Sequence, residues 1–472
     1  MFQEASAGPV PERWLQQIWR HQRLRRDALH LADGRALQVL HPGFWNREAG
    51  PDFRGAVVQF EGNPPVTGDV EIDRTESGWR SHRHMGNPAY ARVILHVVWK
   101  AIPQPRDPPL LALEPHLDTA LAELSGWLED EAPGLLPVSV PGRCSRPLAT
   151  IPIDTSVELL EQAASLRLHR KTTEFGIRAR HVGWDGALWE GLMAGLGYRH
   201  NVWPMRRLAE LLVPGRTVES GPEHPSRVVG WEARLLGVAG MLSEPGRATS
   251  DSDHLRTLWD AWWHERDVWA GHTLPGSVWK LSGVRPANHP QRRLALAARW
   301  MADGMIADDL IRWLQSTVAP SAGAGELRTI LEPPEEEDSF WRWHWTLRSR
   351  RCGQPQPLLG DGRVTDLAVN IVLPWLLARA WAGENRALAA EIQRRYFTWP
   401  AAEENAVLRK IRQRLMGHSS RHLPQRAALQ QGLMRISGDF CEPSGALCTG
   451  CTFPELVSAT QRNPARGTPM DG

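Results

Sequence analysis

Acidic residues are concentrated in a short N-terminal stretch of the chain, at Glu48, Asp52, Glu71 and Asp73. Glu71 and Asp73 lie two positions apart in an alternating polar and apolar run, so they share one face of a predicted strand. Asp52 begins the preceding predicted strand, and a hairpin would bring it to Glu71. Clustered carboxylates repel one another unless a cation lies among them, and hard oxygen ligands suit Mg²⁺ or Mn²⁺. We therefore predict that Asp52 and Glu71 bind such an ion, assisted by Glu48 and Asp73. The alternative is a polar strand end with solvated acids.

Histidines follow these acids closely, at His82 and His84 in the sequence WRSHRH. An imidazole near carboxylates is a candidate metal ligand, phosphate donor or general base. A structural or solvated pair is the alternative. His96 lies within the apolar run RVILHVVW and is expected to be a hydrogen-bonded core residue.

Cysteines form a second candidate site near the C-terminus, where Cys441, Cys448 and Cys451 fall within eleven residues. Three cysteines this close, ending in a C-x2-C spacing, favour metal ligation over a disulfide scaffold in a large chain. Cys144 is the best distant candidate for a fourth ligand, and Cys352 is the other. Four thiolates suit Zn²⁺ or an iron–sulfur cluster. The alternative is three ordinary thiols at the end of a helical bundle.

The pattern of the chain predicts an α+β protein in which a small sheet module precedes a large helical region. Apolar periodicity predicts a helix, three strands, a connection with a short helix, and a central buried strand, at 11–30, 37–40, 53–60, 68–73, 75–89 and 92–99. After residue 155 the periodicity is helical throughout. The predicted domains are a module at 1–135, a Pro-rich linker at 136–154, an all-helical domain at 155–455 and a disordered tail at 456–472.

Composition excludes several classes of protein. Hydrophobic residues make up 42% and charged residues 23% of the 472 residues, as in folded globular proteins. The net charge of +2 gives no global attraction to nucleic acid or membrane. The N-terminus does not read as a signal peptide, and no apolar run has the length of a membrane helix. A cytoplasmic protein without a membrane partner is expected.

Arginine and tryptophan are interleaved in two helical segments, at 285–293 and 341–345. Such residues can bind single-stranded nucleic acid through charge and stacking. The alternative is that the tryptophans are core residues and the arginines flank helix ends.

The N-terminal module resembles the PD-(D/E)xK nuclease core, a restriction-endonuclease-like frame of helix, three strands, helix and strand. The matching residues are Pro51-Asp52 and Glu71-Ile72-Asp73. The resemblance implies metal-dependent cleavage of DNA or RNA. Asp73 stands where that core has a lysine, and His82, His84 or Lys100 are the candidates to replace it. The missing lysine favours the alternative, a non-catalytic nucleic-acid-binding or scaffold protein with a degenerate core. Hydrolysis of another phosphorylated substrate is a third interpretation.

The chain as a whole resembles the bacterial family known as domain of unknown function 2851. The resemblance covers roughly residues 35–455 and rests on the segments GPDF, GDVEID, LHVV, EARLLGVAGML, RPANHPQRR and NIVLPWLL and on the terminal cysteines. Members usually read Glu-Ile-His where this chain has Glu71-Ile72-Asp73. The resemblance implies the domain layout and supplies no reaction or oligomeric state.

Overall fold

A computed structural model of the 472-residue chain describes all but its two ends and several internal segments. The described residues are 10–46, 50–81, 87–128, 141–198, 200–213, 227–242, 253–281, 284–316, 320–332, 340–417, 423–441, 448 and 451–462. Glu48, His82 and His84, three of the predicted site residues, therefore lie outside the described residues.

The chain divides into two compact units. The first comprises Met1–Glu129, His181–Ile306 and Glu332–Leu358, and the second comprises Asp130–Arg180, Ala307–Leu331 and Leu359–Gly472. This division differs from the predicted boundaries at 135 and 155, because residues 181–306 group with the sheet module rather than with the other helices. The helical region is thus shared between both units.

The first unit contains a six-stranded mixed sheet. Its strands are β1 (Leu37–His41), β2 (Phe44–Trp45), β3 (Phe53–Phe60), β4 (Val66–Ile72), β5 (Val93–Val98) and β6 (Leu110–Ala112). The order across the sheet is β1-β3-β4-β5-β6, with β2 also paired to β3. β3 is antiparallel to β1, β2 and β4, whereas β5 is parallel to both β4 and β6. The four predicted strands are confirmed, and the short strands β2 and β6 were not predicted.

The helices account for the rest of the regular structure. In chain order they are α1 (Glu12–His21), α2 (Gly78–Ser81), α3 (Leu121–Leu128), α4 (Ser145–Thr150), α5 (Ile153–Gly197), α6 (Val202–Leu211), α7 (Arg227–Val238), α8 (Asp253–Glu265), α9 (Pro290–Asp303), α10 (Ile306–Gln315), α11 (Pro320–Leu331), α12 (Asp361–Leu367), α13 (Leu373–Ala382), α14 (Arg386–Thr398), α15 (Ala406–Met416), α16 (Ala427–Ile436) and α17 (Phe453–Arg462). No strand follows residue 155 in the described ranges, as the sequence predicts.

Helix α1 packs its apolar stripe on the sheet. Leu15, Ile18 and Trp19 are fully buried in one core with Val70 of β4 and Leu95 of β5. The helix ends at His21 rather than at the predicted residue 30, because Gln22 takes a left-handed conformation and its backbone N–H caps the last turn. The following chain continues into the same core without helical structure, with Leu24 and Leu29 buried.

The most apolar helical segment, Asp361–Ala382, is a core element of the second unit. Its length and composition would allow it to cross a membrane, since its most apolar 18-residue stretch has a mean hydropathy of 1.2. However, 72% of that stretch is buried within the protein. A π-helical turn at Ala368–Val372 interrupts it. Pro374 lacks a backbone N–H and crowds the carbonyl of Asn370, which accounts for the widened turn.

The C-terminal tail corrects a prediction. The segment 456–472 was expected to be disordered, but α17 extends through Phe453–Arg462. Phe453 and Val457, four residues apart on one helix face, are 2% and 1% exposed in the core of the second unit, and their burial stabilises the helix. Residues 463–472 lie outside the described residues.

Candidate functional site

Strand pairing brings Asp52 and Glu71 together. In the antiparallel ladder of β3 and β4, Phe53 lies opposite Val70. Asp52 directly precedes Phe53, and Glu71 directly follows Val70. The backbone N–H of Asp52 donates to Glu71 Oε2 at 3.2 Å. Asp52 Oδ2 in turn accepts from the backbone N–H of Ile72 at 3.0 Å. The two carboxyl groups therefore meet at one end of the strand pair, as the sequence predicts.

Helix α1 adds polar groups that sequence reasoning missed. Gln16 Nε2 donates to Asp52 Oδ1 at 3.0 Å and lies 3.4 Å from Glu12 Oε1. Glu12 and Gln16 are four residues apart, so they occupy one stripe of the helix beside its apolar face. The sequence predicted this helix, but no pattern in it indicated a contact with Asp52.

Burial and mutual repulsion strongly raise the pKa values of Asp52 and Glu71. Burial raises the pKa of Asp52 to about 7, with Glu12 and Asp73 adding to the rise and the Ile72 N–H opposing it. Burial, followed by the charge of Asp52, raises the pKa of Glu71 to about 8. Near neutral pH these groups therefore hold protons readily, and a divalent cation among them would favour their ionised forms.

Tyr90 belongs to the same electrostatic cluster. It ends a short 3₁₀ turn, Pro88–Tyr90, in the connection between β4 and β5. Burial and then the charges of Glu71, Asp52 and Asp73 raise the pKa of its phenol. Tyr90 was not predicted as a site residue, since its position in a connecting segment gave no spacing signal.

Asp73 forms a buried pair with His96. Asp73 is 1% exposed and His96 4% exposed, and His96 Nε2 lies 3.0 Å from Asp73 Oδ2. In the parallel pairing of β4 and β5, Glu71 and His96 are neighbours in register. Gly78 packs on Asp73 so closely that a Cβ there would lie 2.3 Å from Asp73 Oδ1. The structure thus confirms His96 as a hydrogen-bonded core residue and links it to the acid at position 73.

A pocket of about 340 Å³ opens beside this pair. His96 and Trp79 line it, and their ring centroids are 5.4 Å apart. Arg106, also in the lining, donates to Glu76 Oε2 at 2.8 Å. The pocket lining therefore contains an imidazole, an indole and a guanidinium, together with the carboxyl groups of Glu76 and Asp107.

The other predicted site residues either lie away from Asp52 and Glu71 or are not among the residues that the structure describes. Lys100, a candidate to replace the missing lysine, pairs with Glu114 at 3.0 Å, and its side chain is 68% exposed. Within the described ranges no group of three or more His, Cys, Asp or Glu side chains is arranged to hold a metal ion. Glu48, His82 and His84 are not among the residues so searched.

The four predicted cysteine ligands lie together in the second unit. Cys144 and Cys441 are buried in its core, and Cys451 packs against them. Cys448 accepts a hydrogen bond from Arg414 Nη2 at 3.2 Å. Cys352 belongs to the first unit, where its backbone N–H donates to the carbonyl oxygen of Trp343.

Three of the interleaved arginines and tryptophans, Arg292, Arg293 and Trp341, are buried. Arg292 is 0% exposed and donates through Nη2 to the carbonyls of Gln356 and Pro357 at 2.7 Å. Trp341 is 2% exposed, and its indole N–H donates to Glu232 at 2.7 Å. The structural alternative therefore holds for these three residues, whereas Arg285 is exposed and Trp343 and Trp345 are half-buried.

Comparison with known proteins identifies a family. The family described as "Protein of unknown function (DUF2851)" matches residues 12–405. Neither the curated proteins nor the solved structures give a match to this chain. The match includes the strands that carry Asp52, Glu71, Asp73 and His96 and most of the helical region. Since it spans well over half of the sequence, the chain belongs to the DUF2851 family.

Proposed function

We propose that the sheet module is a divalent-metal-dependent, nuclease-like hydrolase of phosphodiester bonds in DNA or RNA. The observation that carries this proposal is the meeting of Asp52 and Glu71 at one end of β3 and β4. Both carboxyl groups have a strongly raised pKa, as expected where a cation is needed to offset repulsion.

The order of elements supports the nuclease-like frame. Helix α1 is followed by the antiparallel strands β1, β3 and β4, then by a connection containing α2, then by β5 parallel to β4. This order matches that of the PD-(D/E)xK core. Asp52 directly precedes the second of these strands and Glu71 lies near the end of the third, where that core carries its acids.

The donor set suits a hard cation. Asp52 and Glu71 would hold Mg²⁺ or Mn²⁺ through carboxylate oxygens, with Gln16 orienting Asp52 through its amide. Bound there, the ion would polarise a phosphoryl oxygen and lower the pKa of a water ligand. Asp73 would contribute through its partner His96, and Glu48 through a water or a second ion.

The pair of Asp73 and His96 offers a replacement for the missing lysine. The carboxylate holds the imidazole by its Nε2 atom, which fixes the ring beside Glu71 in the neighbouring strand. An imidazole held in this way can position the attacking water or accept its proton. The proposed roles are therefore metal binding for Asp52 and Glu71, and water positioning for His96.

The second candidate function is non-catalytic binding of nucleic acid, or a scaffold, with a degenerate core. The observation that favours it is Asp73 itself, which occupies the lysine position and is 1% exposed in its pair with His96. Under this alternative the acids are structural and no hydrolysis occurs.

Cleavage assays distinguish the two. Purified protein is incubated with Mn²⁺ and plasmid DNA, single-stranded DNA or RNA at pH 8. We expect cleavage that Asp52→Asn and Glu71→Gln each abolish, while the matched surface variant Glu114→Gln leaves it unchanged, since Glu114 pairs only with exposed Lys100 among the contacts described. Binding of polynucleotide without cleavage would favour the scaffold. Cleavage retained in Glu71→Gln would overturn the assignment of the site.

A further inference from the structure

Cysteines from distant parts of the chain surround one glycine of the second unit. A Cβ on Gly142 would lie 3.3 Å from Cys144 Sγ and 3.6 Å from Cys448 Sγ. The two sulfur atoms are therefore no more than about 7 Å apart, although roughly 300 residues separate them in sequence. Only glycine leaves this space between them, because a side chain at 142 would enter it.

The other two cysteines lie in the same neighbourhood. Cys144 and Cys441 are 5% and 7% exposed in one apolar core, with Cys451 packed against it. Burial raises the pKa of Cys144 to about 12, and each of the three other thiols adds to the rise. All four sulfur atoms are thus close enough to interact electrostatically, and holding them as thiolates would require a compensating positive charge.

Arg414 supplies part of that charge. Its Nη2 donates to Cys448 Sγ at 3.2 Å, and its side chain also hydrogen-bonds Cys441. Burial opposes ionisation of Cys448, but the hydrogen bonds of Arg414 and Arg143 lower the pKa of this thiol below its usual value. Arg414 is 6% exposed, so its guanidinium lies within the protein beside the sulfur atoms.

We propose that Cys144, Cys441, Cys448 and Cys451 form a four-thiolate centre for a thiophilic metal, either a zinc ion or an iron–sulfur cluster, with Arg414 donating to its sulfurs. Binding of Zn²⁺ by four thiols releases four protons and leaves a site charge of −2. Arg414 offsets one of these charges. Arg143 donates through Nη1 to the Cys448 carbonyl at 3.4 Å, but it is largely exposed and also pairs with Glu455.

Metal binding would draw the sulfurs closer together. In the described residues the four thiols are neighbours but are not arranged as a group that holds an ion. A single zinc with bonds of about 2.3 Å requires a tight tetrahedron of sulfurs. An iron–sulfur cluster is larger and bonds its cysteines at separate iron atoms, so it spaces them more widely. The centre would cross-link Cys144, which precedes α4, to three cysteines near the C-terminus of the second unit.

Metal analysis of the full chain tests the proposal. The protein is purified without oxygen and without affinity resins that carry metal, then examined by elemental analysis and by absorbance near 400 nm. Zinc without absorbance identifies the ion, whereas iron and sulfide with absorbance identify the cluster. We expect about one centre per chain, a loss of at least five-fold in bound metal in Cys144→Ser and Cys448→Ser, and full occupancy in Cys352→Ser, the cysteine of the other unit.

A second measurement guards against variants that fail to fold. Chelation of the wild-type protein should lower its melting temperature, and re-addition of the metal should restore it. Arg414→Gln should retain the centre but release it to a chelator faster than wild-type does. A folded protein without metal, both as purified and after reconstitution with zinc or with iron and sulfide, would overturn the proposal. Equal occupancy in Cys144→Ser would do the same. These readouts do not depend on nuclease activity.

Discussion

Binding of Mn²⁺ by the acid cluster should strengthen steeply as the pH rises. Asp52 and Glu71 have pKa values raised to about 7 and about 8, mainly by burial. At pH 6 both carboxyl groups therefore carry protons that the cation must displace. Above pH 8 more than half of each carboxyl group is already ionised, so the dependence on pH should level off as the pH rises further.

The expected size of the effect follows from these two values. At pH 6 the ion must displace about one proton from each acid. At pH 8.5 both acids have already lost most of their protons. Treated as independent groups, they give an increase in affinity on the order of 10²- to 10³-fold across that range. Two acids at their ordinary pKa values would be ionised throughout it and would give almost no change.

Calorimetric titration with Mn²⁺ at pH 6, 7 and 8.5 measures this directly. Comparison of buffers with different ionisation enthalpies also counts the protons released, and we expect nearly two at pH 6 and less than one at pH 8.5. The Glu71→Gln variant should bind far more weakly, whereas Glu114→Gln should reproduce the wild-type profile. An affinity that stays constant from pH 6 to 8.5 would refute the reasoning, as would wild-type affinity in Glu71→Gln.

Three further changes test other parts of the structure. The pKa of Glu71 is about 8 in the folded protein and 4.5 in the unfolded chain, so without metal the folded state loses stability as the pH rises from 4.5 toward 8. Glu71→Gln should therefore raise the free energy of unfolding at pH 8 by about 1–3 kcal/mol and leave it unchanged at pH 4. Thermal unfolding in the presence of a chelator measures both values. Gly432→Ala should lower the free energy of unfolding by roughly 2 kcal/mol in denaturant unfolding, because its Cβ would lie 2.1 Å from the carbonyl oxygen of Leu160. Gly360→Ala is the control, since no atom lies within 4 Å of its Cβ. Arg292→Met should cost about 3 kcal/mol, since it leaves several buried carbonyls without a donor; an unchanged unfolding midpoint would contradict that role.

The strands of the sheet module could be predicted because their signals are local. Alternation in β4 and the continuous apolar run of β5 each predict a strand, although the residues of β4 from Gly68 to Ile72 are buried on both faces. Two adjacent predicted strands joined by a short turn imply a hairpin, which brings Asp52 to the end of β4 that carries Glu71. A β-bulge between Phe53 and Ala56, which the sequence did not indicate, then shifts the register by one residue. The meeting of these two acids was therefore within reach of sequence reasoning.

The rest of the site depends on long-range packing. The approach of Gln16 to Asp52 depends on how α1 lies across the sheet. The pair of Asp73 and His96 depends on the parallel register of β4 and β5, which a connection of some twenty residues does not specify. No spacing pattern in one segment indicates either contact.

Dependence on long-range packing also explains why other features of the structure were not predicted from the sequence. Arg414 lies in α15 and carries no motif, so its contact with Cys448 was not predicted. The grouping of residues 181–306 with the sheet module likewise leaves no local signal, since helical periodicity is the same on both sides of residue 180. The tail at 456–462 was read as disordered from its polar residues, but Val457 alone completes an apolar face with Phe453.

The most direct test of the metal site is a crystal structure grown with Mn²⁺ at pH 8.5 and measured at a wavelength where manganese scatters anomalously. We expect a single strong anomalous peak within about 2.2 Å of carboxylate oxygens of both Asp52 and Glu71. Electron density that shows both side chains hydrogen-bonded as they are in the metal-free chain, with no manganese peak between them, would contradict it.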